Sequence, residues 1–503
     1  MGDTIRMPRP VAARTGLLSL LLLTFLLVLA RPETAGAQAA KVGELHYPPL
    51  PAQEIPRPER VVLDNGMVVM LLEDHELPLV EAIALVHAGS RLDPADKVGL
   101  AETTADVLRT GGTAKQTGDQ LDDFLEGKAA RIETQTADDY ARVSMSSLRA
   151  DFPQVMSVFA DVLRHPVFAE NRLAVARNQA LAQVARQNDD PGDILFREFK
   201  RVAYGKDSPY GWTPTFASLG GLTRADLVAW HQAHFQPQGI VLGLVGDFKR
   251  DEALRLVKEA FGDWPRGTTP KETAVPFRTT PASGVYYVEK NDVTQSNIIM
   301  GGLGIEKNNP DYYANEVVNQ VLSGSFASRL FAIRAQQGLA YSVFGRVSAE
   351  WDHPGMTFLF ISTKTQTTGA AIEALLAEAR GMTAKPPTEE EVAKGKQGIL
   401  NSFIFQSDSK RKILAQQLNY EYFGYPLDWL TRYRAGIEAV TVAQVRAAAA
   451  KYIHPEQFEI VVVGPATGTD KPLSTYGTVT PIDVTIERPK AGAKPRPGPK
   501  PGL

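Results

Sequence analysis

Cysteine is absent from the chain. Its absence removes disulfides, thiolate metal ligands, cysteine nucleophiles and every lipid attached through sulfur. A charge excess is lacking as well: 54 Lys and Arg against 57 Asp and Glu leave a formal charge of -3, so no field exists to hold a polyanion such as a nucleic acid. Beyond the first 30 residues no apolar run approaches the roughly 20 residues that span a bilayer. The chain also has no G-x-S-x-G elbow, no G-x-x-x-x-G-K-S/T phosphate loop, no H-E-x-x-H and no dinucleotide-type G-x-G-x-x-G. Most self-contained enzyme classes are thereby excluded.

What is present begins with a compartment signal. Arg6, Arg9 and Arg14 precede LLSLLLLTFLLVLA at 17–30, and RPETAGAQAA then offers Ala35-Gly36-Ala37 or Ala37-Gln38-Ala39 for cleavage. Fourteen apolar residues are too few for a transmembrane helix, and the layout is that of a secretory signal. The expectation is a signal peptide over 1–39 and a secreted or periplasmic mature protein. A Pro-rich arm over 40–59, with YPPLPAQEIPRPE, follows as extended chain.

With 503 residues, 44% of them hydrophobic, the chain exceeds one core and can fill several. VVLDNGMVVMLLED places Asn65-Gly66 between two β-branched runs, which predicts a hairpin with a tight primed turn. VEAIALVHAGS, ADDYARVSMSSL and GIVLGLVGDF read as further strands, and NRLAVARNQALAQVARQN reads as a long helix stopped by Asp189-Asp190-Pro191. Strands mixed with helix pairs indicate an α+β layered fold. The same order recurs: 222–246 overlays 440–464 without a gap, with Thr223 against Thr441, Pro237 against Pro455 and Gly246 against Gly464. The reading is two homologous mixed α/β-layer domains, sheet packed with helices, at 60–264 and 285–468. They are joined by a Pro/Thr/Gly-rich linker at 265–284 and form a clamshell-like half chamber with a ligand cleft. An extension over 469–503 ends in AGAKPRPGPKPGL, too polar to bury a core and expected to be disordered.

One stretch carries possible chemistry. In GLAETTADVLRTGGT, 99–113, Glu102 and Asp106 fall one helical turn apart. Such a pair can hold a hard ion through oxygen ligands, or simply be solvated carboxylates near a helix N-terminus. His231 and His234, three apart on a helix with no acidic neighbour, read as packing or capping residues, and His87 as a structural strand residue.

Three segments, HAGSRLDPADKVGLAETTADVLRTGGT, SPYGWTPTFASLGGLTRADLVAWHQAHFQPQGIVLGLVGDF and SGSFASRLFAIRAQQGLAYSVFGRV, together resemble the pitrilysin/insulinase metallopeptidases over about 61–465. That family includes the subunits of mitochondrial processing peptidase and the core proteins of the respiratory bc1 complex. Its active members carry H-x-x-E-H on the first of these helices: two imidazoles bind zinc, the Glu takes a proton from zinc-bound water, and an acidic ligand follows from a later helix. The resemblance puts Glu102 and Asp106 at the His positions, Ala105 at the base and Gln183 at the later ligand, so all four are degenerate and this chain holds no zinc of its own. It also puts Arg334 and Tyr341, seven apart around Gly338, at the family's Arg and Tyr, which face the zinc and bind substrate backbone and oxyanion. In ARIETQTADDY, the family's substrate-binding edge strand, Glu133 replaces the usual Asn. The resemblance therefore implies a catalytically incomplete subunit that pairs with a homologous H-x-x-E-H chain, which brings the zinc, to hydrolyse peptides. The alternative is a non-proteolytic structural or peptide-binding protein of the same fold.

Overall fold

The computed structural model describes residues 55–268, 275–278 and 280–488. The expected signal peptide, most of the Pro-rich arm, part of the linker and the end of the C-terminal extension lie outside the described residues. Strand β1 (Glu59–Val62) pairs antiparallel with β2 (Val68–Glu73). Their connection is not the expected two-residue primed turn. Gly66 N donates to Leu63 O at 2.8 Å and only Gly66, at φ +90°, enters the left-handed region, which makes a type I turn followed by a glycine bulge. Asn65 is used for tertiary anchoring instead: it is buried, and its amide donates to the carbonyls of Phe261 and Trp264 at 2.8 and 3.1 Å. The hairpin is thus tied to the end of helix Arg250–Phe261.

Strands β3 (Leu79–Val86), β4 (Arg131–Thr136), β5 (Ala141–Leu148) and β6 (Ile240–Gly246) complete the first sheet, in the order β1-β2-β6-β3-β5-β4. The second sheet contains β7 (Gly284–Glu289) and β8 (Gln295–Leu303). A short β9 (Ile305–Glu306) leaves it to meet β11 (Ala349–Glu350) in a separate two-stranded ribbon. With β10 (Ser342–Val347), β12 (Met356–Lys364), β13 (Glu459–Gly464) and β14 (Val479–Pro481) the second sheet runs β14-β7-β13-β8-β12-β10. Apart from the outermost strands β1 and β14, the two sheets therefore follow the same path. Thr223 and Thr441 each cap a helix (Arg224–His234 and Val442–Tyr452) through a capping box, and Pro237 and Pro455 each open the turn into the central strand β6 or β13. Both strands are buried at every position because helices cover both faces, which is why they read as unbroken apolar runs. The extension contributes β14, which pairs parallel to β7 and closes that sheet's edge.

One face of each sheet packs on helices of its own half. The other face takes a helix from the opposite half. Helix Pro191–Tyr204 lays Ile194, Leu195 and Phe199 on Ile299, Phe360 and Val461 of the second sheet, and helix Lys410–Tyr422 lays Ile413, Leu414 and Leu418 on Met70, Ile83 and Val245 of the first. A Cβ at Gly243 of β6 would meet the Leu418 side chain at 2.8 Å, so glycine lets the helix lie this close without displacing Leu418. Exchanged apolar helices thus hold the two halves together at their seam.

The tips of two hairpins add a polar lock to this seam. Arg91, almost fully buried, lies 3.2 Å from Asp139 and 3.7 Å from Asp352, and Tyr210 OH donates to Asp139 at 2.7 Å. His353 stacks on Tyr210 with ring centres 3.9 Å apart and contacts Asp352 at 2.9 Å. Among the described residues Asp139, Asp352 and His353 form the one group with metal-ligand proximity, but the Arg91 guanidinium already stands between the carboxylates. Burial and the neighbouring Asp352 charge hold Asp139 above the usual carboxylate range. Arg91→Ala would leave two partly desolvated carboxylates facing each other and is expected to cost about 3 kcal/mol, read as a lower midpoint in urea unfolding. An unchanged midpoint would show the lock to be dispensable.

Candidate functional site

Helix Leu100–Thr110 carries the degenerate motif. It starts at Gly99, φ +99°, which has no side chain to cap the first turn. Asp93 does so from six residues upstream, its carboxylate accepting from Gly99 N at 2.7 Å and Ala101 N at 2.8 Å. Burial outweighs these bonds and lifts Asp93 to about 6. No local spacing signals this role, because the cap comes from a loop rather than from the adjoining residue. On its inner side the helix rests on β4: Thr134 Oγ1 donates to Ala105 O at 2.6 Å and Thr136 Oγ1 to Ala101 O at 3.3 Å. The fixed spacing of helix and edge strand is therefore retained.

Glu102 and Asp106 lie on the exposed side of that helix, and among the described residues neither has an ion-pair or hydrogen-bond partner for its carboxylate. Their tips reach water, but flanking protein removes part of their hydration. This raises both carboxyl groups above their usual range, Glu102 further because Asp106 is negative. Ala105 between them is buried and offers no proton acceptor. Gln183 projects from helix Glu170–Arg186, whose Leu173, Ala176 and Val184 share a core with Leu100, Ala101 and Leu108; the Gln183 side chain is exposed. β4 is the outermost strand of its sheet, with Arg131, Glu133 and Gln135 exposed along it.

Arg334 lies in helix Arg329–Ala335. The helix stops three residues before Gly338, whose φ of +67° turns the chain toward β10. Tyr341 precedes that strand, its N donating to Ser362 O at 2.9 Å. The Arg334 guanidinium is exposed and sits 5.8 Å from the Phe331 ring centre; among the described residues no carboxylate lies within 4.0 Å of it. Tyr341 is 73% exposed and its hydroxyl has no partner among the described residues. Phe326, 85% exposed, packs edge-on to Phe331 at 5.0 Å. The turn thus presents a cation, a phenol and an aromatic pair to solvent.

The histidines lie elsewhere. His231 is buried, its Nε2–H donating to Leu163 O at 2.9 Å and its ring stacked on Phe235, and burial lowers it to about 4. His234 packs on Trp230 with ring centres 4.1 Å apart and is also lowered to about 4 by burial. His87 falls one residue beyond β3 rather than within it, and touches Tyr422 OH at 3.2 Å.

Comparison with known proteins decides the kinship of this arrangement. The profile of the insulinase family (peptidase family M16) matches residues 68–209, and that of the peptidase M16 inactive domain matches 221–399. The chain belongs to peptidase family M16. An uncharacterised zinc protease of Rickettsia felis is 25% identical over 374 residues, covering 72% of this chain and 87% of the relative. The Helicobacter pylori protein YmxG, described as a non-peptidase homologue, is 25% identical over 366 residues, covering 72% of this chain and 83% of the relative. The crystal structure of a peptidase M16 inactive domain from Pseudomonas fluorescens superposes with a TM-score of 0.75 at 25% identity, over 83% of this chain and all of the other.

For an M16 protein the donor set of this helix is telling. Glu102 and Asp106 supply no imidazole, Ala105 between them offers no proton acceptor, and Gln183 of helix Glu170–Arg186 offers no charge, so the four do not fit the zinc of an M16 peptidase. The chain is a catalytically incomplete M16 member. Among the described residues no helix is long and apolar enough to cross a membrane.

Proposed function

We propose that this chain is the zinc-free subunit of a secreted or periplasmic heteromeric metallopeptidase, pairing with a homologous H-x-x-E-H chain that carries the zinc. Arg334 and Tyr341 complete the partner's site. The observations that carry this reading are the exposed Arg334 guanidinium, with no carboxylate within 4.0 Å among the described residues, and the exposed Tyr341 seven residues on. An arginine kept only for stability would be expected to hold a carboxylate, and a phenol kept only for packing would be buried. Here both donors are available to a peptide carbonyl whose oxygen gains negative charge, the task for which a forked, permanently charged group is suited. The retained helix and open β4 edge are consistent with a chain still selected for assembly around an extended peptide.

Affinity purification from the native host tests the pairing. A co-purifying chain with intact H-x-x-E-H is expected, with cleavage of a quenched fluorescent peptide only when both chains are mixed. Recovery without such a chain, together with peptide binding but no cleavage, would favour the non-proteolytic reading to which the name of the Helicobacter relative points. Stoichiometric zinc in the purified chain alone would overturn both.

A further inference from the structure

Helix Tyr312–Ser323, the ribbon β9/β11, the end of β10 and helices Lys410–Tyr422 and Trp429–Ala439 line an open cavity of about 370 Å³. Its walls mix polar side chains, among them Glu350, Gln416 and Asn419, with aromatic ones that are firmly held. Trp351 stacks on Phe423 with ring centres 5.4 Å apart, and its carbonyl accepts from Tyr425 OH at 2.6 Å; Tyr433 stacks on Phe403 at 6.3 Å. Charged groups of both signs reach into the same space. Lys307 Nζ lies 3.5 Å from the Trp351 ring centre, Arg346 comes from β10, and Glu316 accepts from Tyr433 OH at 3.2 Å.

These charges do not neutralise one another by contact. Among the described residues neither Lys307 nor Arg346 has a carboxylate within 4.0 Å, although both act on Glu316 through space and Glu350 acts on Lys307. Burial holds the Glu316 carboxyl above its usual range and the Lys307 ammonium below its own, so part of the hydration of each is gone without a salt bridge in return. A cavity serving only packing would be apolar and small, or its ions would close on each other. Separated charges on rigid aromatic walls instead describe a ligand pocket of ordinary size.

We infer that this cavity binds a zwitterion of amino-acid size, with its carboxylate at Arg346 and Lys307, its ammonium at Glu316, and its side chain between Trp351 and Tyr433. A free amino acid and a short peptide share that chemistry. The inference is independent of subunit pairing, since it concerns the isolated chain.

Titration calorimetry on the full chain tests it with named probes. Phenylalanine or the dipeptide Ala-Phe is expected to saturate one site at submillimolar concentration, the tighter of the two identifying a free amino acid or a peptide as the source. 3-Phenylpropionate and phenethylamine, each lacking one charge, should bind at least about tenfold more weakly, and N-acetylphenylalanine amide not at all. Arg346→Gln, at an exposed position, should weaken the zwitterion by at least about tenfold while leaving phenethylamine unchanged; Glu316→Gln should weaken phenethylamine as well. Circular dichroism controls for folding, and the exposed Arg346 variant keeps the test valid if the Glu316 variant is unstable. Absence of saturation by either zwitterion up to about 10 mM would overturn the inference. So would equal binding of the uncharged amide, or zwitterion affinity untouched by Arg346→Gln.

Discussion

On the proposed pairing, Arg334→Ala is expected to lower kcat of a reconstituted two-chain mixture by about 100-fold or more, with the complex intact on size-exclusion chromatography. The magnitude is that of removing one preorganised donor from an oxyanion, roughly 3 to 4 kcal/mol of transition-state stabilisation. Arg334 makes no ion pair among the described residues, so its loss costs the fold little, and assembly and activity can be read separately. Tyr341→Phe keeps the ring and removes only the hydroxyl, so a smaller fall, about tenfold, is expected. KM should change less than kcat in both variants, because the contact strengthens as charge develops. Equal peptide turnover by wild-type and Arg334→Ala mixtures would remove this residue from the mechanism, whatever the partner proves to be.

Phe199→Ala destabilises the protein by about 3 to 5 kcal/mol, the cost of emptying a fully buried aromatic site. The informative part is where the loss appears. Phe199 belongs by sequence to the first half but packs on Ile299 and Val461 of the second sheet. Hydrogen exchange should therefore accelerate in β8 and β13 while β3 and β5, on the other sheet, change less. If the two halves were independent bodies, exchange in β8 and β13 would be untouched.

Much of this architecture was legible in the sequence, and the exceptions share one cause. The helices opened by Thr223 and Thr441 and the buried runs that became β6 and β13 are set by residues within one turn or one strand of each other, whereas the edge position of β4 came from the family resemblance. Asn65 misled because its amide serves Phe261 and Trp264, almost 200 residues away, rather than its own turn. Asp93 gave no signal because it caps a helix across a loop, and β14 gave none because a three-residue strand has too little pattern to detect. The exchange of helix Pro191–Tyr204 had no local signal for a related reason, since the periodicity of a helix says that one side is buried without saying against which sheet. At the site, residue types told what chemistry was missing at Glu102, Ala105 and Asp106. They could not tell that Arg334 stands without a carboxylate, which is a fact of three-dimensional neighbours.

The exchange of helices Pro191–Tyr204 and Lys410–Tyr422 also bears on how such a protein can change over generations. Neither half covers both faces of its own sheet, so a gene encoding one half alone would leave an apolar sheet face bare and prone to aggregation, which favours inheritance of the two together. The residues enforcing that linkage, such as Phe199 and Leu414, are distinct from those at the vacated metal positions. Mutations could therefore erase zinc chemistry from one helix while heredity of the whole scaffold stayed under unbroken constraint.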